Sequence, residues 1–116
     1  MRNFIRAIKA LSDETRARIL NLIFQQECCV CEVVEVLDIS QTRASRNLGM
    51  LYNAGFLKHR REGLWSHYSL DTEGMTQYHL KLIEAIKTAL KENQTALYDL
   101  KRLKQMEAKT SSCSTK

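Results

Sequence analysis

The sequence predicts a mainly α fold with a β-hairpin wing: a winged helix-turn-helix that pairs with a second copy through its terminal helices. Three observations predict it. A helix rich in cations, amides and hydroxyls at 41–53 follows a short apolar helix across a tight turn. Two β-prone runs broken by Glu62-Gly63 come directly after it. A long apolar helical pattern then runs to about Ala108, with too little chain to cover it. The 116 residues suit one domain, placed at 1–108, with 109–116 as a flexible Ser-, Thr- and Lys-rich tail.

Each element has its own justification. Arg2 to Leu11 is a short amphipathic start, and Ser12-Asp13-Glu14 supplies an N-cap and first-turn acids for the helix that follows. That helix buries Ile19, Leu20, Ile23 and Phe24 on one face. A second helix, from about Cys29 to Leu37, buries Val30, Val33, Val34 and Leu37. Ser40 caps the helix from Gln41 to Asn53, where Ala44, Leu48 and Leu51 face the core. Gln41, Thr42, Arg43, Ser45, Arg46 and Asn47 are expected on its exposed faces. Asn53-Ala54-Gly55 stops it through a left-handed glycine.

Phe56 to Arg61 and Leu64 to Leu70 form the expected hairpin, with Leu57, Leu64 or Trp65, Tyr68 and Leu70 packing inward and Lys58, Arg60 and Arg61 crowding the tip. From about Glu73 to Ala108 a single helix of about 34 residues would extend about 50 Å. Its stripe of Ile83, Ile86, Leu90 and Leu97 is the expected dimerisation seam, the alternative being a helix folded back on its own core and frayed after Leu90.

Charge is segregated along the chain. The net charge is +5; Gln41 to Arg61 holds five basic residues and no acid, whereas Glu27 to Asp38 holds four acids and no base. Such a field directs one face towards a polyanion. Arginine pairs with guanine edges, glutamine and asparagine with adenine, and serine or threonine with phosphate or base. Double-stranded DNA is therefore the expected partner, read by Gln41, Thr42, Arg43, Ser45, Arg46 and Asn47 and gripped by Lys58, Arg60 and Arg61. No apolar run reaches the roughly 18 residues of a membrane span, and the N-terminus lacks a secretory pattern, so no membrane partner and a cytoplasmic location are expected.

Three stretches resemble the ArsR/SmtB metal-responsive repressors. Leu11-Ser12-Asp13-Glu14-Thr15-Arg16-Ala17-Arg18-Ile19-Leu20 is similar to their opening helix. Ser40 to Leu48, with Leu51 and Ala54-Gly55-Phe56-Leu57, is similar to their recognition helix, and Arg61 to Tyr68 to their wing. The resemblance runs from about Ile8 to Leu70. It implies a homodimer that represses a resistance or homeostasis operon and leaves DNA when an inducer binds.

Glu27-Cys28-Cys29-Val30-Cys31-Glu32-Val33 resembles the family's arsenic-sensing motif, which implies Cys29 and Cys31 as ligands and arsenite or antimonite as thiolate-bound inducer, with no organic cofactor. The family's further cysteine falls on Val34 here. Thiolates select soft metals and metalloids, and a pyramidal centre needs a third sulfur. Cys28, three residues before Cys31 and beside it if the stretch is helical, and Cys113 from the tail are the two candidates. Residues two apart do not face each other in an α-helix, so a metalloid joining Cys29 to Cys31 is expected to distort that helix.

A zinc site on the dimerisation helix is not expected, since His79 stands there without a second histidine, and His59 and His67 lie in the wing. The alternative for the same fold is a repressor that answers thiol oxidation or reactive sulfur. An enzyme is not expected: no Cys-x-x-Cys opens a helix in a βαβ context, and there is no glycine-rich phosphate loop or catalytic triad.

Overall fold

The computed structural model describes residues 1–108. The expected tail, with Cys113, lies outside the described residues. Helix α1 (Arg2–Leu11) packs through the small Ala7 and Ala10, which leaves Phe4, Ile5 and Ile8 facing outward. Asp13 caps α2 (Glu14–Gln25) by accepting from the Arg16 backbone N–H at 3.0 Å, and α2 buries Ile19, Leu20, Leu22 and Ile23. A two-residue strand, β1 (Cys28–Cys29), then turns straight into α3 (Val30–Leu37). The sequence pattern had placed Cys29 inside the helix. Asp38, in the left-handed region at φ 57°, ends α3, and Ser40 caps α4 (Gln41–Asn53) at 3.1 Å from the Arg43 N–H.

Gly55 ends α4 as expected, at φ 95°. A Cβ there would stand 2.8 Å from His79 Nε2. That imidazole is buried; its Nε2 meets the Ala54 carbonyl at 2.8 Å, and its Nδ1 accepts from the Thr76 N–H at 3.2 Å. The two partners assign the proton to Nε2. His79 thus ties the end of the α4 turn to the start of α5 (Gln77–Leu90).

Strands β2 (Leu57–Glu62) and β3 (Trp65–Leu70) make the expected hairpin, with Glu62 opposite Trp65 and Gly63 at φ 62° in the turn. Of the two alternatives for packing, Leu64 is 88% exposed at the tip and Trp65 is half-buried. The sheet has the order β1-β3-β2, all antiparallel.

The single long helix expected after Glu73 is two helices. Asn93 breaks it: its side-chain oxygen accepts from the Ala96 N–H at 3.0 Å and starts α6 (Gln94–Ala108). Helix α6 folds back on its own domain. Asn21 donates to the Ala96 carbonyl at 3.0 Å, the Arg18 fork holds fully buried Asp99 at 2.8 and 2.9 Å, and Arg102 donates to the Glu35 carbonyl at 3.0 Å. Leu103 and Met106 complete the packing. Polar groups, invisible to an apolar-stripe argument, therefore decide where α6 goes.

One consequence falls on the expected dimer seam. Ile83 is buried in the chain's own core, Ile86 and Leu90 are half-buried, and Leu97 alone of the four is exposed. Among the described residues, no helix is long and apolar enough to cross a membrane.

Candidate thiol site and nucleic-acid interface

The outward side of α4 presents Gln41, Thr42, Arg43, Ser45 and Arg46, all exposed. Arg43 also reaches back to α2, its Nη2 donating to Thr15 Oγ1 at 3.0 Å. Asn47 does not join them. It is 8% exposed, its Oδ1 accepts from Arg16 Nη1 at 2.9 Å, and its amide nitrogen donates to the Arg43 carbonyl at 2.9 Å. The expected base-reading role is corrected to one of fixing α4 against α2. The spacing carried that signal, because Asn47 stands three residues after Ala44 and four before Leu51, beside the core stripe.

Lys58, Arg60 and Arg61 are exposed on β2. Arg60 is already engaged: its fork clasps Glu27 at 2.9 and 2.8 Å, with Glu62 at 3.5 Å. The Arg60 guanidinium holds the Glu27 carboxyl below its ordinary range. His59 stacks on Tyr68 with centroids 4.7 Å apart. His67 Nε2 is buried without a hydrogen-bond partner; Glu62 Oε1 lies 3.5 Å away, within ion-pair reach but outside hydrogen-bond geometry.

The cysteines sit where β1 becomes α3. Cys28 pairs with Tyr68 and Cys29 with His67 on β3. Neighbouring strand residues point to opposite faces. Cys28 takes the inner one, where it is fully buried, with Sγ 3.5 Å from the Gln26 carbonyl. Burial, with the Glu32 charge behind it, pushes its thiol far above the ordinary value. Cys29 is the N-cap of α3 in a capping box with Glu32, whose carboxylate accepts from the Cys29 N–H at 2.8 Å. Its Sγ lies 2.9 Å from Cys31 Sγ. Burial first, and the Glu32 charge, push the Cys29 thiol up to about 11, against the opposing pull of the Glu32 backbone N–H. Cys31, in the first turn, is half-buried.

Two expectations are corrected here. Cys28 is on a strand, so the helical proximity to Cys31 on which its candidacy rested does not exist. Cys29, with extended φ and ψ of −88° and 165°, stands before the helix, and its sulfur reaches Cys31 without any distortion of α3. Sequence reasoning missed β1, for which two residues give no period, and with it the direct pairing of the thiol site to the wing. Among the described residues, no group of three or more His, Cys, Asp or Glu side chains is placed to hold a metal ion.

Residues 13–59 match the family described as bacterial regulatory protein, arsR family. The arsenic resistance transcriptional regulator ArsR2 of Pseudomonas putida is 41% identical over 103 residues, covering 87% of this chain and 86% of the relative. The ArsR1 regulator of the same organism is 47% identical over 66 residues, 56% of this chain and 52% of that protein, so this match spans about half the relative's length. Among solved structures, the homodimeric winged helix-turn-helix DNA-binding domain Mb0332 of Mycobacterium bovis is similar with a TM-score of 0.64 at 27% identity, covering 79% of this chain and 82% of that one. With these likenesses spanning its recognition helix, wing and thiol turn, the chain belongs to the arsR family of bacterial regulatory proteins, winged helix-turn-helix transcriptional regulators that bind DNA and are not enzymes.

Proposed function

We propose that this chain is a homodimeric repressor that holds operator DNA through α4 and the wing and releases it when arsenite or antimonite bonds Cys29 and Cys31. The observation that carries this is the pair of sulfurs 2.9 Å apart at the joint of β1 and α3. One thiophilic atom can span them with little rearrangement. Trihydroxy arsenite condenses with neutral thiols: each As–OH and S–H gives one As–S bond and one water. The reaction needs no standing thiolate, which suits a thiol held protonated by burial. Oxidation proceeds through the thiolate, the form that burial disfavours at Cys29.

The third sulfur of a pyramidal centre comes from Cys113 in this proposal, since Cys28 would have to abandon the core. Cys29 stands in register with His67 on β3, so a metalloid that draws it away loosens the wing as well as the start of the helix-turn-helix. The inducer shifts DNA affinity only by its differential affinity for the two arrangements.

Fluorescence anisotropy of the reduced protein on a labelled duplex from upstream of its own gene tests this. Stoichiometric arsenite should release the wild-type protein, while Cys29→Ser/Cys31→Ser stays bound. Release of the double variant would disprove the thiol site. Release by peroxide or polysulfide with indifference to arsenite would favour the redox alternative.

A further inference from the structure

A wide cleft lies away from the thiols, between α1 and α4. It has a volume of about 970 Å³ and is lined by Met1, Arg2, Ile5, Arg6, Lys9, Ala10, Arg16, Met50 and Asn53. No acid lines it. Arg16 is committed to structure: its fork donates to the Ala10 and Lys9 carbonyls at 2.6 and 3.3 Å and to Asn47 at 2.9 Å. Arg2, Arg6 and Lys9 are exposed, and none forms an ion pair among the described residues. Their spacing of four and three residues puts them on one stripe of α1, about 10 Å from first to last.

The opposite wall decides what the stripe faces. Thr42, Ser45, Arg46, Gly49 and Asn53 fall along one outward side of α4 by helical period. Asn53, the last of them, also lines the cleft. Asn53 thus joins that side of α4 to the cleft whose other wall carries the cationic stripe. A second copy of the chain is a poor occupant, because a two-fold contact would set these cations against their own images. The apolar side of α1, with Phe4 and Ile8, is a separate stripe.

We propose that Arg2, Arg6 and Lys9 form a phosphate track, a second DNA contact that grips the backbone flanking the segment read by α4. This rests on the proposed DNA binding and extends it to residues outside the helix-turn-helix and wing. With one phosphate per about 3.4 Å of axis on each strand, a stripe of this length meets two or three of them. Such contacts add affinity and carry no sequence information.

The test compares the wild-type protein with Arg2→Gln/Arg6→Gln/Lys9→Gln on the upstream duplex and on a random duplex across a salt series. Glutamine keeps helix propensity and these side chains are exposed, so the thermal melt should not move. The slope of log K against log salt should fall in magnitude by about 2–3 per bound protomer, at about 0.9 per phosphate, with an unchanged ratio of upstream to random affinity. Lys91→Gln/Lys101→Gln/Lys104→Gln removes equal charge elsewhere and should leave the slope alone. An unchanged slope in the α1 variant, or an equal fall in the control, would overturn the track. An unchanged slope together with lost binding of anilinonaphthalene sulfonate would overturn it in favour of a small amphipathic anion. No DNA affinity in the wild type would remove the proposed function itself, and the track with it.

Discussion

Asn47 and Arg46 are neighbours on one helix and should fail in different ways. Asn47→Ala takes the amide acceptor from Arg16 Nη1, leaving it the weaker Met50 Sδ, and removes a donor to the Arg43 carbonyl. It should cost about 1–3 kcal/mol in a urea melt. Arg46→Ala is exposed and should stay within about 0.5 kcal/mol while weakening DNA binding in an anisotropy titration. Cys29 gives a pH signature. Its thiol is raised from the ordinary 9.0 to about 11 on folding, so the folded state favours the protonated form. That contribution is complete below 9.0 and is lost as pH climbs through about 11, with Cys28 adding in the same direction. The urea midpoint of the reduced protein should fall across this window, and less steeply in Cys29→Ser. The sequence pointed to both cysteines by their resemblance to a sensing motif. Their protonation was hidden, because it depends on burial that only the folded chain defines.

At the scale of elements, the wing is tied down on its sensor side. Glu27 stands directly before β1 and occupies the fork of Arg60, the cation expected to meet DNA. A pair this exposed is weak, so Glu27→Gln should tighten DNA binding of the reduced protein by a few-fold at most. If Arg60 meets a phosphate, the salt slope should steepen by about 0.9 as well. Helix α6 depends on Asp99. Asp99→Ala leaves Arg18 unpaired, and since Arg18 keeps about a quarter of its side chain in water the loss should sit near 3 kcal/mol. Limited proteolysis should then cut between α5 and α6. Hairpin, capped helices and Gly55 were legible because each has a local chemical cause. The α6 fold-back was not, since Arg18 and Asp99 are 81 positions apart and an isolated Asp on a helix looks like a solvent-facing residue.

Across the whole molecule, exposed apolar side chains remain where the single chain cannot cover them: Phe4 and Ile8 on α1 and Leu80 on α5, joined through the edge contact of Phe4 with Tyr78 at 5.3 Å. Sedimentation of the reduced protein should give a dimer. Ile8→Asp/Leu80→Asp should give folded monomers, whereas Ile83→Asp should unfold the chain rather than split it. Surplus apolar surface is what leads the sequence to predict pairing through the terminal helices. Which residues are left to pair was not legible there, because α6 had first to be placed. That placement also bears on biosynthesis. Chains fold as they emerge, and α6 is the last described element to do so. Its 15 residues take about 1–3 s to be made. During that interval Arg18, which in the finished protein clasps Asp99, and Asn21, which donates to the Ala96 carbonyl, have no partner from α6. Unfinished chains should therefore be digested by proteases faster than finished ones.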